Sequence, residues 1–131
     1  MPIITCPVYQ AYKETPQNPA LILGQEVISY EVLENKIQNI QFSLQKNGIS
    51  QGHHVSIISD KQEEIIPILF ALQRIGAASL IINPKHPNET INHILKISAT
   101  DALIHLSSLN KLIPSNKIML ISHSLLYSTQ Q

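Results

Sequence analysis

The chain has 131 residues, enough for one ordinary domain with one core. Its residues are 44% hydrophobic and only 14% charged, which excludes a disordered tail. Nine basic residues balance nine acidic ones, and the lysines (Lys13, Lys36, Lys46, Lys61, Lys85, Lys96, Lys111 and Lys117) are scattered, so neither a basic surplus nor a basic stripe invites nucleic acid.

The first 18 residues read as a lead-in, with Pro2, Pro7 and Pro16 and a short helix over 8–14. Two short apolar runs, 20–23 and 27–29, flank Gly24-Gln25 and read as a β-hairpin. Ser29 is then placed to cap a helix over Tyr30–Lys46, with Glu31 and Glu34 near its positive end. Leu33, Ile37, Ile40 and Leu44 recur at helical spacing and define one apolar face. Lys46 and Gly48 mark the stop.

A short buried strand follows over 55–59, and Asp60 is placed to cap a helix over Gln62–Ile75. That helix carries apolar residues around most of its circumference, so it should be covered on more than one side. Pro67 lies past its first turn and predicts a bend or a late start. Gly76 closes it. A second strand over 77–82, a loop over 83–87 and a helix capped by Asn88, with Ile91, Ile94 and Leu95 on one face, complete a repeating pattern. Strands are expected again over 102–106 and 117–121, ahead of a polar tail over 122–131. Short apolar strands alternating with helices predict an α/β fold: a mostly parallel sheet flanked by helices, with an N-terminal β-hairpin, in a single unit over 1–131.

Candidate chemistry is sparse. The four glycines (Gly24, Gly48, Gly52 and Gly76) form no cluster, and no glycine-rich phosphate loop or nucleophile elbow is present. His53 and His54 are adjacent and in a strand would point opposite ways; His86, His93, His105 and His123 are dispersed. With Cys6 the single cysteine, convergent zinc ligands are not expected. His54 with Asp60 is the one acid–base pairing worth naming, although no nucleophile stands beside it. No catalytic, cofactor-binding or metal residue is therefore assigned. The lone cysteine, the lack of a leader-like start and the lack of a spanning apolar run fit a cytoplasmic protein.

The order of motifs resembles the opening of the adenylate-forming enzymes: acyl- and aryl-CoA synthetases, luciferases and peptide-synthetase adenylation domains. Ser29-Tyr30-Glu31-Val32-Leu33 matches their hairpin-to-helix junction. Gly48-Ile49 and Gln51-Gly52-His53-His54-Val55 match the turn into the next strand, with His53 where Asp is usual. Ala71, Gly76, Ala77, Asn83, Pro84 and Pro87 match the following block. The resemblance covers roughly residues 17–106. Asn83-Pro84 is closer to the CoA ligases than to the peptide synthetases, and the compact block is similar to the 2-succinylbenzoate–CoA ligases of menaquinone synthesis.

The resemblance implies an N-terminal scaffold portion of an ATP-dependent acid–CoA ligase, or of a peptide-synthetase-type adenylation domain. The family's phosphate loop, its ribose-binding Asp and its catalytic Lys have no counterpart here, so no family active-site residue carries over. It further implies that ATP, Mg²⁺ and CoA serve a longer parent and that the piece alone is inactive. Its partner would be the remainder of that parent. An apolar face left open for later subdomains would make the isolated chain a homo-oligomer; the alternative, a stand-alone interaction module, would close its own core.

Overall fold

The computed structural model describes residues 6–23, 25–105 and 119–122. The lead-in forms α1 (Pro7–Glu14), and the expected hairpin is β1 (Pro19–Leu23) paired antiparallel with β2 (Glu26–Ser29). Helix α2 (Tyr30–Lys46) follows without a break. Then come β3 (His54–Ile58), α3 (Gln62–Ile75), β4 (Ala78–Ile82), α4 (Asn88–Ile97), β5 (Ala102–His105) and β6 (Met119–Ser122). The last four strands form one parallel sheet in the order β4-β3-β5-β6. The fold class read from the sequence is therefore the one observed. The strand bounds differ by about one residue, and Leu106, Lys117, Ile118 and most of the expected tail lie outside the described residues.

The strand order dictates the layers. The chain leaves β3 in one direction to reach β4, then returns past β3 to reach β5. Crossovers of one hand running in opposite directions put their helices on opposite faces. Accordingly Ile65, Ile68, Ala71 and Leu72 of α3 pack on Val55, Ile57, Ala102 and Ile104. Ile91 and Leu95 of α4 pack on Ile58, Ile82 and Leu103. Helix α2 adds Leu33, Ile37, Ile40 and Leu44 to the α3 side, and all four residues of its sequence-derived stripe are buried.

Local signals explain most element ends. Ser29 caps α2 as expected, its Oγ accepting the Val32 N–H at 3.3 Å. Gly48 and Gly76 follow α2 and α3 with φ of 94° and 89°, the left-handed geometry that closes a helix without a Cβ clash. The Ile49 and Ala77 N–H groups then bond back to Leu44 and Leu72, each at 3.0 Å.

Three expectations need correction. Asp60 does not cap α3: it is exposed, the cap residue is Lys61, and the neighbouring Ser59 Oγ accepts the Lys61 N–H instead. Asn88 is the first residue of α4 and not its cap; Pro87 holds that place, its fixed extended backbone feeding the chain into the helix. Pro67 does not delay α3, which starts at Gln62. Its missing N–H deprives only Glu63, a solvent-exposed residue of the first turn, and its ring is buried.

Ile57 sits in the central strand with no exposed surface. Ile57→Ala should therefore cost about 2–5 kcal/mol, combining lost transfer energy with a cavity, as read by urea unfolding.

Candidate functional site

Three polar constellations stand out, and each begins with a residue that the packing leaves no choice about. The first joins the three helices of one face. Glu34 lies on the core side of α2 and is completely buried. Burial of a carboxylate demands a partner, and Arg74 from the last turn of α3 supplies one. Its Nη1 donates to Glu34 Oε2 at 2.7 Å and its Nη2 to Oε1 at 2.6 Å, a two-point fork. Gln38, one turn along α2, donates its amide to Oε2 at 2.6 Å. Arg74 Nη2 also donates to Cys6 Sγ at 3.2 Å, and its guanidinium lies 5.9 Å from the Tyr9 ring centre.

Burial disfavours the Glu34 anion, but the Arg74 hydrogen bonds, the Gln38 amide and the Arg74 charge outweigh it and hold the carboxyl below its ordinary range. Hydrogen bonding to Glu34 pushes Arg74 upward against the opposing effect of burial. For Cys6, burial raises the thiol; the amides of Tyr9 and Val8 and the Arg74 guanidinium overcome this and leave it below the ordinary value. The cluster is a charged joint between α1, α2 and α3, and Tyr9 at its edge also lines an open pocket of about 420 Å³ with Tyr12, Lys13, Pro16 and Glu31.

The second constellation is at the carboxyl ends of β3 and β4, the edge at which open α/β sheets bind ligands. Ser59, Asp60, Gln62 and Asn83 rim a groove of about 610 Å³ floored by Ile65, Ile66, Leu69 and Ile81. Ser59 is engaged by the Lys61 N–H, and Asn83 Oδ1 accepts the Lys85 N–H at 2.9 Å. Asp60 is exposed at the rim of this groove. The third lies at the opposite end of the sheet. Ser56 Oγ, Thr100 Oγ1 and Ser98 Oγ form a chain with 2.7 Å links beside a cleft of about 190 Å³. His54 borders it, its Nδ1 3.2 Å from the Ser98 carbonyl and its N–H donating to Asp101 Oδ2 at 2.8 Å.

The structure thus separates the one acid–base pair considered from the sequence: His54 opens β3 and Asp60 lies beyond its far end. His53 turns its Nδ1 to the Ser50 N–H, away from any shared site with His54. His86 and His93 are exposed, and His123 lies outside the described residues. Among the described residues, no group of three or more His, Cys, Asp or Glu side chains could hold a metal ion. The Glu34–Arg74–Cys6 joint is the feature that sequence reasoning missed. Its one legible signal was an acidic residue at position 34 on the same side of α2 as the apolar stripe.

The described residues thus form a parallel α/β layer with an antiparallel hairpin ahead of it. The model of the AMP-binding enzyme family matches residues 8–129, and the chain belongs to that family. Tyrocidine synthase 3 of Brevibacillus parabrevis is 33% identical over 95 residues, covering 72% of this chain and 2% of that protein. The Klebsiella oxytoca NpsA structure in complex with 3-hydroxyanthranilyl-AMSN superposes with a TM-score of 0.82 at 24% identity, covering 92% of this chain and 24% of that one. The O-succinylbenzoate coenzyme A synthetase MenE of Bacillus subtilis, in complex with AMP, gives 0.83 at 19% identity, covering 92% and 32%. The last two likenesses are of fold. The chain spans a small part of each of these proteins. The adenylate-forming family expected from the motifs is thereby established, and the narrower 2-succinylbenzoate ligase reading is not.

Arg74→Ala should destabilise the chain by about 3–5 kcal/mol, because it strands a buried carboxylate; Arg74→Lys should recover only part of this, having no fork. Thermal or urea unfolding reads both. The Glu34 carboxyl is depressed in the folded state, so at acid pH the unfolded state binds more protons. The stability that Glu34 contributes should be fully present above the unfolded carboxyl value of about 4.3 and fall away as pH drops through the lower folded value. In a urea-unfolding series from pH 7 to pH 2, Glu34→Gln should flatten this acid limb.

Proposed function

We propose that this chain is the N-terminal scaffold portion of an ATP-dependent acid–thiol ligase. That enzyme would join a carboxylate to AMP with release of pyrophosphate, then pass the acyl group to a thiol. The observation that carries the reading is the family match across residues 8–129 on a chain that lacks the family's phosphate loop. Stabilising charge on a transferring phosphate requires donors already in position, and the glycine-rich phosphate loop that supplies them in the family is not found in residues 1–131. ATP, Mg²⁺ and the acyl acceptor would be held by further chain, and residues 1–131 would form one structural piece of the first subdomain. Cys6, held as a thiol against Arg74, fits the reducing cytoplasm where ATP is available.

Two acceptors are in view. The Asn83-Pro84 turn favours coenzyme A, as in an acid–CoA ligase such as that for 2-succinylbenzoate. The 33% identity to a tyrocidine synthase favours a peptide-synthetase-type adenylation domain.

The chain alone, incubated with ATP, Mg²⁺ and mixtures of amino and aromatic acids, should release no acid-dependent pyrophosphate above background. Reading the coding frame past Gln131 should reveal a Gly/Ser/Thr-rich loop ending in Pro-Lys, and the longer product should release pyrophosphate with one class of acid. Acid-dependent turnover by the 131-residue chain itself would overturn the proposal.

A further inference from the structure

Strand β4 is the outermost described strand on its side of the sheet, yet it has the composition of an interior one. Ala78-Ser79-Leu80-Ile81-Ile82 carries no charge and no proline. It runs in unbroken register with β3, without a bulge. Charges, prolines and bulges are the devices by which edge strands avoid pairing, and β4 uses none of them. Leu80 is 39% exposed and Ile81 47%, although a parallel sheet normally buries such residues on both faces.

Its hydrogen bonds show which groups remain on offer. The Ala78 N–H donates to the His53 carbonyl at 2.8 Å, and the Ile82 carbonyl accepts from the Ser59 N–H at 3.3 Å. Even-numbered residues therefore turn their main chain toward β3, and alternation directs the N–H and C=O of Ser79 and Ile81 outward. Side chains alternate too. Leu80 lines the cleft on the α4 face, and Ile81 lines the groove on the α3 face.

The geometry points to a second copy of this chain as the occupant of that edge, paired antiparallel about a two-fold axis through Leu80. Ser79 opposes the partner's Ile81, and Ile81 opposes the partner's Ser79. Each is a hydrogen-bonded pair that exchanges two main-chain bonds. Leu80 opposes the partner's Leu80 in the intervening non-bonded pair, where side chains approach most closely. A two-fold contact sets its central residue against itself. A charge there would repel its copy; an apolar side chain is buried by it. The formal net charge of zero adds no long-range repulsion between copies.

The strand spans only about 16 Å, and by itself falls short of the roughly 1,200 Å² that stable interfaces bury. The groove of about 610 Å³ and the cleft of about 190 Å³ flank the same edge on its two faces, and symmetry presents each twice. The dimer is accordingly reversible and concentration-dependent. This inference stands apart from the proposed chemistry, because pairing of β4 needs neither ATP nor an acid.

Sedimentation equilibrium of the 131-residue chain over a wide concentration range should show monomer and dimer in exchange. Leu80→Lys, which sets like charges opposite each other, should weaken association by about tenfold or more, with circular dichroism confirming the fold. A second readout does not depend on that variant. In a Cys6→Ser background, Leu80→Cys should oxidise to a disulfide-linked dimer, since directly opposed Cβ atoms about 4.5–5.5 Å apart are close to bonding distance. Gln45→Cys, on the exposed side of α2, should not. A monomer at every concentration would assign the edge to another segment or another protein and overturn the proposal. So would a dimer unmoved by folded Leu80→Lys, or equal crosslinking through the two introduced cysteines. None of these results bears on pyrophosphate release, which tests the ligase reading separately.

Discussion

A parallel sheet cannot face water on either side without exposing apolar strands, and this demand for cover on both faces organises the molecule. β3 meets it in full: Val55 and Ile57 face α2 and α3, and Ile58 faces α4, all buried. β5 meets it as well, through Ala102 and Ile104 on one face and Leu103 on the other. β4 does not, and four of its five residues are exposed. The same requirement explains the placement of the chain's helices on both faces of the sheet.

The Glu34–Arg74 joint is a consequence of that layering. Two helices on one face of the sheet come close enough for a carboxylate on α2 to lie within the packed layer. Such an anion is tolerated only with a cation that satisfies both oxygens. Arg74 does so from the last turn of α3, where a positive side chain also complements the helix dipole. α1 is held to the joint through Cys6 and Tyr9, so the lead-in is fastened to the core by electrostatics and by the burial of Val8. A buried pair of this kind adds little net stability over an apolar pair of similar volume, whereas removing one partner is costly.

Membership of the AMP-binding enzyme family gives this α/β unit its context. The rims of the sheet present side chains already committed to local structure: Ser59 and Asn83 to backbone N–H groups, Ser56, Ser98 and Thr100 to one another. Hydroxyls and amides used in this way hold turns and strand ends in place. The division of labour we propose follows from this, with positioning in this piece and phosphate chemistry in other chain.

The sequence by itself determined the kinds of element and their order. The Ser29 cap, the stripe of Leu33, Ile37, Ile40 and Leu44, and the stops at Gly48 and Gly76 are local signals that depend on residues a few positions apart. The motif order carried the family for the same reason, since its spacing survives when identity is low. It did not decide the caps at Asp60 and Asn88, where Lys61 and Pro87 hold the cap positions through loop geometry that spacing does not encode. Nor could it pair Glu34 with Arg74, 40 positions apart. Only the tertiary structure decided which apolar strand lay at the edge. β3 and β4 are both short apolar runs ending in Ile-Ile, and what sets their burial is a neighbouring strand on two sides or on one.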